Sequence, residues 1–164
     1  REAPRRSGDF RVMSMLALIA VLAVQTPPLA DPASPEAVAV MAPVNGLFAA
    51  LAARNAAVLT SHIDAGARLT VVLERPDGSI GVETLTRETF AAGLQPGPER
   101  LEEVMPDPII AIDGDIAMVW GRYVFKLDGR VVHCGSDHFD LIRRDGVWTI
   151  AGITWNQREK GCEG

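Results

Sequence analysis

Arg122, His133 and Asp137 are side chains of the types that move protons or hold charge. A carboxylate against an apolar wall has its pKa raised and can act as a general base near neutral pH. An imidazole, with an unperturbed pKa of about 6.5, carries protons in the same range. Asp137 has two readings. It is a structural ion-pair partner of Arg122 on a strand diagonal, or it is the general base or the carboxylate that orients His133. Four positions separate His133 from Asp137, roughly 13 Å along an extended strand, so direct contact needs a bulge or a bridging ligand. His138 and Asp140 form a second pair of the same kind on the alternate face. No Ser-His-Asp order, phosphate-cradling glycine loop or metal-ligand spacing is present, so neither a metal nor a cofactor is expected.

Strands must position these groups. Asp113-Gly114, Asp128-Gly129 and Asp145-Gly146 punctuate alternating apolar runs, the pattern of antiparallel hairpins. The extended segments are 100–112, 116–127, 131–143 and 148–157, the first broken by Pro106 and Pro108. Two-residue turns set Leu127 opposite Arg130 and Arg144 opposite Val147. Counted back from there, Val124 faces His133, Trp120 faces Asp137, and Asp137 faces Thr154. Alternate residues share a face. One face then holds the catalytic candidates Asp137 and His133 with the ligand-binding candidates Trp120, Arg122, Phe139, Trp148, Thr154 and Asn156. Tyr123, Phe125, Cys134, Ile153 and Trp155 fall on the other. A single bulge would exchange these sets beyond it. The first face, apolar with a few polar groups, is the expected pocket. Glu102 and Glu103, beside the prolines, read as solvated.

Ahead of the strands, residues 31–35 are a polar linker in which Ser34 can cap a helix with Pro35 at its first position. Val44, Leu47, Phe48 and Leu51 form one stripe of that helix, which runs to about residue 54 and which Pro43 either kinks or restarts. Asn55 caps a second helix, a hairpin turns at Pro76-Asp77-Gly78, and Thr86 caps a third helix over 87–94. The order of helix, helix, hairpin, helix and four strands predicts an α+β domain, a strongly bent antiparallel sheet on three N-terminal helices.

The chain has 164 residues, 48% of them hydrophobic, and a net charge of −5, which suits a single domain. No basic stripe appears, so no nucleic-acid partner is expected. Arg1, Arg5, Arg6 and Arg11 precede an apolar run at 15–24, with a plausible cut after Ala30. That describes a secretory signal or, before Met13, a gene-model extension. The run is too short to span a bilayer comfortably. No stable membrane anchor is expected after cleavage, and the location is periplasmic or secreted. Cys134 and Cys162 can bridge in an oxidising compartment. The bridge would contribute on the order of 3 kcal/mol. The alternative is one buried thiol and one free thiol in the 159–164 tail.

Residues 36–158 resemble the nuclear transport factor 2-like superfamily, which includes SnoaL-like polyketide cyclases, ketosteroid isomerases and scytalone dehydratase. The resemblance rests on LFAALAARNAAVLTSHI (47–63), LTVVLERPDG (69–78), DGDIAMVWGRYVF (113–125) and GSDHFDLIRRDGVWTIAGITW (135–155). It implies a cone-like sheet whose concave face holds the ligand, and pairing of two copies through their sheets. The second, apolar face agrees with a homodimer. The resemblance fixes no single function. The leading expectation is an exported domain binding a small hydrophobic or planar molecule. The alternatives are a cofactor-independent isomerase, cyclase or dehydratase acting by acid–base chemistry, and a module that only assembles.

Overall fold

Three capped helices precede most of the sheet in the computed structural model, which describes residues 28–162. The basic flank and apolar run of the expected targeting segment lie outside the described residues. Helix α1 (Pro35–Ala52) begins at Ser34, whose hydroxyl accepts from the Ala37 amide at 3.2 Å, with Pro35 in its first turn. Pro43 sits inside this helix without ending it. By length and composition α1 could cross a membrane, but Val40, Val44, Leu47 and Leu51 are buried, which makes it a core helix. Helix α2 (Ala56–Ser61) is capped by Asn55, and α3 (Arg87–Ala92) by Thr86.

The strands are β1 (Ile63–Glu74), β2 (Ile80–Thr86), β3 (Leu101–Val104), β4 (Ile109–Asp113), β5 (Ile116–Leu127), β6 (Arg130–Arg144) and β7 (Val147–Gln157). They form one curled, unclosed sheet in the order β2-β1-β7-β6-β5-β3, with β4 also on β5. The molecule is α+β, as expected. The sheet, however, is mixed, because β1 runs parallel to β7. The first hairpin thereby covers the free edge of the closing strand and leaves only short β2 at that border. Pro106 and Pro108, which cannot donate to a ladder, split the expected 100–112 strand into β3 and β4.

Two of the three Asp-Gly turns behave as expected, while the first is shifted by one residue to Gly114-Asp115, with Asp113 paired to Ile116. Asp128 and Gly129, and Asp145 and Gly146, all have positive φ, the geometry of two-residue hairpin turns. Leu127 pairs with Arg130, and Arg144 with Val147. Two bulges then shift the register. Val132 is extra, so Phe125 pairs with His133 and Gly121 with Asp137. Ala151 is extra, so Leu141 pairs with Ile150 but Asp137 with Trp155. Each bulge turns the rest of its pairing over by one residue.

The faces are therefore redistributed. Tyr123, Phe125, Ile153 and Trp155 join His133, Asp137 and Phe139 on the concave side, against α1 and α3. Trp120, Arg122, Thr154 and Asn156 move to the convex side with His138 and Asp140. Trp120 is 44% exposed there. Trp148 precedes the Ala151 bulge and stays on the concave side, in the core beyond the cavity, with the Arg143 guanidinium 5.0 Å from its ring. Phe48 of α1 meets Phe139 edge-on, ring centres 6.0 Å apart, joining helix to sheet.

Cys134 and Cys162 are joined in a disulfide. Cys134 and Arg158 also exchange two backbone hydrogen bonds of 3.0 Å, so the chain beyond β7 is held to β6 twice.

Candidate functional site

A cavity of about 150 Å³ lies between the concave sheet and the helices, partly open to solvent. Leu47 and Leu51 of α1 and Phe90 of α3 wall it on the helix side. Phe125, Phe139, Ile153 and Trp155 wall it on the sheet side. A second hollow of about 320 Å³ shares Leu51, Phe90 and Phe125 with the first, and adds Leu59, Leu85, Leu94 and Leu101. The polar groups lining the first cavity are Glu103, Tyr123, His133, Asp137 and Gln157.

Asp137 is 3% exposed, the one buried charged residue among those described, and its Oδ2 meets no donor among them. Its neighbour is the Glu103 carboxyl, which reaches it from β3. Two carboxyls in contact within an apolar wall cannot both ionise cheaply. Burial, then the Glu103 charge and hydrogen bond, push Asp137 up to about 9. Burial pushes Glu103 up to about 7. Near neutral pH the two therefore share a proton.

Tyr123 and His133 form the other polar contact. The Tyr123 hydroxyl lies 3.1 Å from His133 Nδ1 and 3.2 Å from the Asn156 carbonyl oxygen. A carbonyl only accepts, so one proton arrangement satisfies both bonds: Tyr123 donates to Asn156, and His133 Nδ1–H donates to Tyr123. His133 Nε2 is then an acceptor. Burial lowers the imidazole to about 4, so it is neutral at pH 7. The ring stacks on Phe125 at 4.6 Å. Burial, then the Asp137 and Glu103 charges, hold the Tyr123 hydroxyl well above the usual phenol range.

The cavity thus joins Asp137, His133 and Phe139 from the expected set. Trp120, Arg122, Thr154 and Asn156 do not reach it, because the two bulges carry them to the convex face. Trp148 shares the concave side but not the cavity wall. Arg122 is not the partner of Asp137; it opposes Ser136 and is exposed. Asn156 takes a structural part instead. Its Oδ1 accepts from the Ser136 amide at 2.7 Å and its Nδ2 donates to Glu74 at 2.8 Å. His138 and Asp140 do pair, 3.7 Å apart, on the convex face.

Glu103, which reads as solvated in the sequence, lines the cavity instead. A signal for it exists in period two. Leu101 is buried, so Glu103 must point the same way as Leu101, while Glu102 points out and meets Lys126 at 3.1 Å. Gly152 beside Ala151 was the corresponding mark of a bulge.

Many solved structures share this arrangement of helices and curled sheet. A nuclear transport factor 2-like protein from Cytophaga hutchinsonii matches with a TM-score of 0.58 at 20% identity, over 76% of this chain and 99% of that one. Another, with a cystatin-like fold, from Novosphingobium aromaticivorans, matches at 0.60 and 9% identity, over 76% and 83%. The fold is nuclear transport factor 2-like. A putative calcium/calmodulin-dependent protein kinase II association domain from Xanthomonas campestris matches the same nuclear transport factor 2-like frame at 0.58 and 24% identity, over 82% and 96%. No protein-family model and no curated protein matches the sequence.

Proposed function

We propose that this nuclear transport factor 2-like chain is an exported domain that binds a small, mostly apolar molecule in the cavity beneath α1 and α3. The observation that supports it most is a partly open, aromatic-walled cavity containing an aspartate with a partnerless oxygen. A well-packed core has no use for such a group, whereas ligand sites combine apolar walls with a few directed polar atoms. A space of about 150 Å³ suits a single ring, and the adjoining apolar hollow leaves room for a substituent. The basic flank and apolar run near the N-terminus support export to the periplasm or medium, and the disulfide fits an oxidising compartment. Mass spectrometry of the purified protein under native conditions, with a thermal-shift screen of monocyclic ligands, tests the binding reading. A co-purified small molecule or a ligand-dependent rise in Tm is expected. No adduct and no shift with any ring compound would contradict it.

The Glu103–Asp137 pair favours a second reading, acid–base catalysis without a cofactor. The ionised carboxylate of the pair would take a proton from the ligand while the protonated one donates to a developing oxyanion. If so, Asp137→Asn lowers turnover of a cyclic enone by about a hundred-fold or more; unchanged turnover would remove Asp137 from the chemistry.

The convex face supports a homodimer. Trp120 and Ile116 are 44% and 61% exposed on β5, and exposed clustered apolar groups mark interfaces. Light scattering should show a dimer that Trp120→Glu splits. A wild-type monomer would contradict this assignment.

A further inference from the structure

The cavity's polar chemistry is one-sided. Asp137 Oδ2 is buried and unpartnered. The Glu103 carboxyl lies against it. The Tyr123 proton is directed at the Asn156 carbonyl, and His133 keeps only an acceptor, Nε2, once Nδ1–H serves Tyr123. Gln157 supplies a neutral amide. Among the described residues no lysine or arginine lines the space. Arg158, just past β7, is turned to Glu74 at 3.8 Å. Around these acceptors stand five aromatic side chains: Phe90, Tyr123, Phe125, Phe139 and Trp155.

Two ionisable carboxyls with no basic side chain among the described lining residues, enclosed by aromatic rings, complement a group that is both a hydrogen-bond donor and positively charged. We propose that the molecule bound in this cavity is a small organic ammonium ion, its charged end at the Asp137–Glu103 carboxyl pair and its carbon frame among the rings. This rests on the binding reading above and names its ligand class. A neutral donor would satisfy the Asp137 oxygen but bring no counter-charge to the carboxyl pair, and an anion would meet two carboxyls.

A balanced proton exchange follows. In the empty cavity burial keeps the carboxyl pair protonated, with Glu103 raised to about 7 and Asp137 to about 9. The side chains that line the cavity from α1, α3 and β7 are uncharged: Leu47, Leu51, Phe90, Ile153, Trp155 and Gln157. Tyr123 and His133 are neutral at the same pH. An arriving cation favours the ionised pair. One N–H···O contact forms, one carboxyl O–H is broken, and its proton passes to the buffer. Cation in and proton out leave the net charge of the complex unchanged.

The test uses benzylamine, benzyl alcohol and benzoate as probes of one shape and three charges, with isothermal titration calorimetry on the wild-type protein near pH 6 in two buffers of different ionisation enthalpy. Benzylammonium should bind about ten-fold or more tighter than benzyl alcohol. The buffer dependence of its heat should show about one proton released per ion bound, and benzyl alcohol should release none. Benzoate should not bind. Glu103→Gln combined with Asp137→Asn should abolish the proton release and level the amine and alcohol affinities. The wild-type proton count tests the idea even if that variant does not fold. Equal or tighter binding of the alcohol, or amine binding without proton release, would overturn the ammonium assignment and leave the binding reading standing. No binding by any of the three would overturn both.

Discussion

An aspartate 3% exposed, with one oxygen lacking a partner, is stable in the fold mainly while its pair keeps a proton. That ties stability to pH. Asp137 and Glu103 are raised when folded, so their contribution is full below about pH 4, the unfolded carboxyl range. It is lost as pH rises through about 7 for Glu103 and about 9 for Asp137. His133, lowered to about 4, contributes above about 6.5 and loses that part as pH falls. From about pH 6.5 to 8.5 only the carboxyls slope, and urea denaturation should show wild-type stability falling on the order of 3 kcal/mol. Asp137→Asn should lose less than half as much over that window; parallel slopes would contradict the buried pair. Tyr123→Phe removes the hydroxyl between His133 and Asn156 and should cost about 1–2 kcal/mol. A stability within error of wild type would mean those two bonds are worth nothing.

Strand register decides which residues meet. The capped helices, the Asp-Gly hairpins and the pairs beside the turns were legible in the sequence, because each is set by local chemistry: a hydroxyl or amide at an N-cap, positive φ at Asp-Gly. The bulges at Val132 and Ala151 were not. A bulge follows from how the bent sheet must curve over α1, a long-range demand with only Gly152 to mark it. Hence Asp137, His133 and Phe139, all on β6, were placed together correctly, while their expected neighbours on β5 and β7 were exchanged. Glu103 was missed because two adjacent glutamates resemble a solvated run, although strand alternation separates them. Denaturation of two variants distinguishes them. Glu102→Ala removes a partly exposed ion pair with Lys126 and should cost no more than about 1 kcal/mol at any pH. Glu103→Gln should instead change the pH slope. Gly135 is the tight point of β6: an added Cβ would run into the Asn156 carbonyl and the Tyr123 ring. Gly135→Ala should therefore destabilise by about 2–3 kcal/mol, and an unchanged denaturation midpoint would show that β6 and β7 can separate there freely.

At the scale of the molecule, the sheet curls far enough to leave a hollow because a long hairpin, β5–β6, bends over the helices while β1 completes the border beside β7. The alternation of the strands predicted an antiparallel sheet. The parallel β1–β7 pairing leaves no periodic trace because the partners, such as Leu69 and Ile153, are far apart in sequence. The disulfide holds the C-terminal segment against β6, next to His133 in sequence. Its reduction should lower stability by about 3 kcal/mol, read as a drop in Tm with dithiothreitol; an unchanged Tm would show that the two Arg158 backbone bonds hold the segment alone.

The shared proton in the aromatic-walled cavity is tested most directly by a pH titration of the carboxyl carbons of Asp137 and Glu103 by NMR in the empty protein. Both are expected to titrate well above the usual carboxylate range, Glu103 at about 7 and Asp137 later, at about 9. Two independent transitions near pH 4 would mean that the carboxyls are hydrated and apart, and the site as described here would not exist.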